Sequence, residues 1–168
     1  MQLIDINKKR YRRHLNYVIV ACVISLTIGC LAISQLLIVL FPDASGSHFH
    51  WNLTGVVITS LLIGLILNKY RTHDFMTEVA YVWDLKQVLN RINRKMRKLK
   101  AAAEDGNVKA LLAIHYSYAG SRLLWQLDDN LIIMDQLAID QAQIDNLAAK
   151  YNVTLNTEGY DEAVLKEF

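Results

Sequence analysis

Proline occurs once in 168 residues, cysteine twice and glycine seven times. So little turn chemistry excludes a collagen-like repeat, a low-complexity chain and a turn-rich all-β fold. Two cysteines cannot staple a small secreted scaffold. Cys22 and Cys30 stand about 12 Å apart along a helix axis, too far to bridge, and read as small apolar fillers. The short motifs of phosphate, dinucleotide and metal chemistry are missing too: there is no phosphate-binding GxxxxGK loop, no GxGxxG, no HExxH and no CxxC. Ser117 and Ser121 near His115 lack an orienting partner. His48 and His50 form an incomplete metal pair with only Asp43 close by. The chain is therefore expected to be no enzyme, with no catalytic residue, no cofactor and no metal.

Charge is missing as well, but only locally. Residues 15–42 hold no Asp, Glu, Lys, Arg or His. As a helix this run is about 42 Å long, against a hydrocarbon core of ~30 Å. Residues 51–68 form a second apolar run of about 27 Å, enough for a short crossing. A signal peptide is a poor description of the first run, which is too long and lacks a cleavage site followed by a polar chain. Five cations (Lys8, Lys9, Arg10, Arg12, Arg13) precede the first run, none lies between the runs, and Lys69 and Arg71 follow the second. That distribution predicts both termini in the cytoplasm and a short loop outside. The expected organisation is a basic N-terminus at 1–14, a first span at 15–41, an outer loop at 42–50, a second span at 51–68 and a cytoplasmic helical domain at 69–168. No ionisable residue falls at the membrane midplane, which argues against a proton relay, a pump or a charge-selective transporter.

Small residues mark close helix contacts in lipid. Ala21, Ser25 and Gly29 recur every four residues, as do Ser60, Gly64 and Asn68. Both stripes are expected to face protein, within the hairpin or between copies.

Residues 70–104 lack Gly and Pro and predict one long amphipathic helix, capped by Thr72 or Asp74 and able to run on directly from the second span as a stalk. Tyr81, Leu85, Val88, Leu89, Ile92, Met96 and Leu99 make its apolar stripe, and Gly106 its stop. Arg91, Arg94, Lys95 and Lys98 form a separate basic face. A second helix, apolar on two faces, is predicted from Asn107 to about Leu137. Asp140 with Gln143 has capping-box spacing and would open a third helix, and residues 160–168 read as a last turn or two. The fold class is all-α: a two-helix transmembrane hairpin with a cytoplasmic antiparallel bundle and a coiled-coil-like stalk.

The formal net charge of +2 hides a separation. Residues 1–100 carry 14 Lys and Arg against five Asp and Glu, a net +9, while residues 101–168 carry four against 11, a net −7. The basic side chains Arg10, Arg12 and Arg13, with the 91–98 face, are expected to meet anionic lipid head groups, a partner, or the acidic helices of the second half. Nucleic acid is not an expected partner: Trp83 is the one well-placed stacking residue, and the acidic half repels phosphate. Trp83 is instead a candidate contact for a protein.

The stretches 8–16 (KKRYRRHLN), 50–57 (HWNLTGVV), 76–94 (MTEVAYVWDLKQVLNRINR) and 127–130 (LDDN) resemble a bacterial inner-membrane family catalogued only as a domain of unknown function. The resemblance covers nearly the whole chain. It implies an inner-membrane protein with two spans and a cytoplasmic helical tail, and it brings no activity, cofactor or site residue. The function expected from all this is that of a non-catalytic accessory or scaffold protein whose helices bind a partner or a second copy. The alternative is a small homo-oligomeric channel.

Overall fold

The computed structural model describes residues 1–42, 46–130 and 134–168. It is all-helical, with no strand among the described residues. The described residues form, in order, α1 (Lys8–Leu40), α2 (Phe49–Lys69), α3 (Thr77–Glu104), α4 (Val108–Leu127) and α5 (Met134–Lys150), then a 3-10 helix at Glu162–Glu167. The chain divides into two compact units, residues 9–80 and residues 1–8 with 81–168.

The first unit holds the helical hairpin. Both α1 and α2 are long and apolar enough to cross a membrane. A Cβ placed on Gly29 would sit 2.6 Å from Thr59 Cγ2, and one on Gly55 would meet the Cys30 carbonyl at 3.0 Å and the Ser34 amide at 3.1 Å. As α1 advances from 29 to 34, α2 recedes from 59 to 55, so the two run antiparallel. Ser34 and Thr59 are buried at this contact. Thr59 donates its hydroxyl to the Gly55 carbonyl at 2.7 Å, so its polar atom stays satisfied inside its own helix.

The long stalk does not form as one helix. α2 ends at Lys69 and α3 begins only at Thr77. The intervening residues are turns, in which His73 and Met76 donate backbone N–H groups to carbonyls three residues back. Thr72, His73 and Asp74 are weak helix formers whose side chains compete for backbone groups, and His73 Nδ1 accepts from the Phe75 amide at 3.2 Å. Neither Thr72 nor Asp74 is the cap, because the helix starts beyond both.

In the second unit α4 is the centre. Leu111, Ile114, Tyr116 and Ser117 are almost wholly buried. Its Gly120 lies under Leu85 and Leu89 of α3, and Arg122 donates to Gln141 of α5 at 2.7 Å. The predicted stripe of α3 is the buried one: Leu85, Val88, Leu89, Ile92 and Leu99, each contributing roughly 1.5–3 kcal/mol by burial. At the N-terminal segment the Tyr81 hydroxyl accepts from the Ile4 amide and donates to the Gln2 carbonyl.

Three helix ends share one solution. Gly106, Asp129 and Asn152 have φ of 82°, 55° and 55°, and the residue after each donates to a carbonyl five residues back. This left-handed cap satisfies the orphan carbonyls of the last turn. It stops α4 at Leu127, ten residues short of the predicted end at Leu137. A new helix starts at Met134, so Asp140 lies inside α5 rather than capping a helix, and its carboxylate accepts from Gln136.

The hairpin contact yields a direct test. Gly55→Ala forces a methyl into the Cys30–Ser34 backbone and should lower hairpin stability by about 1–3 kcal/mol. Gly64→Ala meets nothing within 4 Å and should be neutral or slightly stabilising. Thermal unfolding of both variants in detergent checks the ranking.

Candidate interaction site

Within the hairpin unit the basic end is organised around one carboxylate. Glu78, in the first turn of α3, pairs with Arg10 Nε at 2.8 Å and stands 3.5 Å from His14 Nδ1. His14 is 7% exposed and stacks on Phe75 with centroids 4.2 Å apart. Arg12 and Arg13 are exposed. At the other end of the hairpin Trp51 stacks on Phe41 at 5.5 Å and takes His50 against its ring at 4.7 Å, an aromatic collar. Asp43, the third member of the suspected metal set, lies outside the described residues, and among those described no three His, Cys, Asp or Glu gather as metal ligands.

The small-residue stripes are placed differently from one another. Gly29 is in the hairpin contact. Ala21 and Ser25 line an apolar groove of about 370 Å³ beside Tyr17, Ile63, Leu67 and Phe75. Ser60 and Gly64 are turned away from α1. The residues of α2 that do face α1, Gly55 and Thr59, escaped the sequence reading. Their signal was the four-residue step Trp51, Gly55, Thr59, Ile63, which runs beside the stripe chosen.

In the other unit the basic face of α3 is already engaged. Arg91 pairs with Glu162, Lys95 Nζ donates to the Leu165 carbonyl, and Lys98 Nζ donates to the Phe168 main-chain oxygen at 2.6 Å. Lys109 of α4 pairs with Glu167. The last residues of the chain thus lie across α3 and α4 as a strap, with Leu165 buried beneath it. Arg94 lines the groove left alongside. Acids elsewhere meet cations too: Asp128 takes Lys86 at 3.2 Å and Asp129 takes Lys8. Trp83 stands apart at 62% exposed.

Under the strap Tyr160 stacks on Tyr116 with centroids 4.5 Å apart. Both hydroxyls are buried without a hydrogen-bond partner among the described residues. Burial pushes the Tyr116 hydroxyl up to about 12, helped by the nearby Tyr81 and Glu162, and raises Tyr160 as well. Burial also lowers the His115 imidazole, with Asp145 opposing, and holds that ring towards its neutral form.

Two outcomes follow for the strap. Its ion pairs are exposed and each should contribute about 0.2–1 kcal/mol, so salt should loosen it. Hydrogen exchange at residues 160–168 should quicken with salt and in Arg91→Gln or Lys109→Gln, up to about fivefold, while α4 amides hold. The tyrosine pair responds to alkali. An unfolded tyrosine loses its proton near 10.0, whereas folded Tyr116 keeps it to about 12. Between those values the unfolded state binds fewer protons, so stability is complete below the lower value and falls as pH climbs towards the upper. Tyr116→Phe should flatten that alkaline loss in thermal melts without weakening the protein at neutral pH.

No curated protein and no solved structure matches the chain. A family model matches residues 1–165, and the chain belongs to the family described as "Protein of unknown function (DUF3087)".

Proposed function

We propose that the protein is an integral, multi-pass protein of the bacterial inner membrane, with both termini cytoplasmic, whose hairpin anchors a non-catalytic helical domain that binds a partner or a second copy. The observation that carries this reading is the outward apolar surface of the hairpin. Only 6% of the most apolar window of α1 and 11% of that of α2 is buried. A core helix of a soluble protein would be mostly covered, and an apolar surface of this extent in water is an aggregation liability. A cleaved leader fits poorly, because α1 packs on α2 through Gly29 and Ser34. Cations at both hairpin ends on one side, and none described between the helices, support the orientation.

The accessory role is supported by exposed Trp83 and the free flank of α3 around Arg94, since large aromatic side chains and arginines anchor protein interfaces. Alkaline carbonate should leave the protein in the membrane pellet. In a Cys22→Ser, Cys30→Ser background, Ser47→Cys should react with an impermeant maleimide in intact cells and Glu158→Cys only after lysis. Release by carbonate would remove the membrane reading, and labelling of Glu158→Cys in intact cells would remove the orientation. A photo-crosslinker at position 83 should give one discrete protein adduct in native membranes, and its absence would remove the accessory role.

A further inference from the structure

The groove between α1 and α2 has chemistry of its own. It is about 370 Å³ in volume and nearly wholly apolar, with Tyr17, Ala21, Ser25, Ile63, Leu67 and Phe75 among its walls. Tyr17 to Ser25 spans about 12 Å along α1. Small side chains at 21 and 25 open the groove, and Phe75, braced by its stack on His14, closes one end. That end is the basic one. Arg13 lies one turn before Tyr17 on the same stripe of α1, and Lys69 follows Ile66, another wall residue, by three positions on α2. Both are exposed, and neither has an ion-pair partner among the described residues, whereas neighbouring Arg10 is held by Glu78.

We infer that this groove is a binding site for one anionic phospholipid of the inner leaflet. An acyl chain lies along Ala21 and Ser25, and the phosphate sits between Arg13 and Lys69. The inference rests on the membrane reading above. An apolar groove in a lipid-facing surface takes a lipid chain without loss of hydrophobic contact, and basic positions between helices on the cytoplasmic side select anionic head groups. Charge complementarity therefore distinguishes this occupant from a helix of a second copy, which would leave the two cations unmatched.

The full chain, purified in mild detergent, is given phosphatidylglycerol or phosphatidylcholine, and retained lipid is counted by native mass spectrometry. Phosphatidylglycerol should be retained over phosphatidylcholine. Arg13→Gln and Lys69→Gln should each weaken that retention by about fivefold. Ser25→Leu fills the groove and should abolish retention, whereas Thr27→Leu, which adds similar bulk off the groove, should not. Equal retention of both lipids, or no response to Ser25→Leu, overturns the site. A dimer of the wild type that Ser25→Leu dissociates assigns the groove to a second copy and overturns it as well. Carbonate extraction of the same variants separates the two readings: a membrane-bound variant that has lost its lipid leaves the anchor standing, and a wild type soluble without detergent removes both.

Discussion

Apolar side chains on α1 and α2 point outward along almost their whole length, and that surface constrains the rest of the hairpin. In the proposed membrane setting helices have no hydrophobic drive towards one another, and contact has to come from close packing. Gly29 and Gly55 supply it by having no side chain where Thr59 and the 30–34 backbone arrive. The polar atoms at the contact stay satisfied locally, as the Thr59 hydroxyl does on Gly55. The cations of the hairpin are kept to one end, where Glu78 gathers Arg10 and stands beside His14.

The charge separation along the chain resolves differently in the other unit. A surplus of cations in one half and of acids in the other invites a search for external partners. Much of it is spent internally, in Arg91 with Glu162, Lys109 with Glu167, Lys86 with Asp128 and Lys8 with Asp129. What the 91–98 face offers outward is therefore smaller than its sequence implies: Arg94 and the flank beyond the strap. Proximity in space, not sign along the chain, decides whether a lysine is available to a lipid or a partner.

Much of the architecture was legible beforehand. Length and hydropathy are local quantities, so both apolar helices and the buried stripe of α3 could be read directly. Gly106 as a stop was legible because only glycine adopts a positive φ freely. Asp129 adopts the same conformation with less local signal, which is why α4 was expected to run through to Leu137. The stalk was over-extended for a related reason: residues 70–76 lack Gly and Pro, and their break arises from several weak helix formers acting together.

Composition and order of residues by themselves determined the helical class, the two apolar segments, the exclusion of the familiar catalytic motifs and the polarity of charge, because each depends on neighbours within a few turns. Tertiary structure alone decided which small residues touch. Gly55 and Thr59 meet α1 while Ser60 and Gly64, one position on, do not, since the choice between adjacent stripes of one helix is made by the helix packed against it. It also decided that the basic face of α3 receives the end of its own chain. That contact joins residues some 70 positions apart, at Lys95 with Leu165 and Lys98 with Phe168, and no local pattern encodes it.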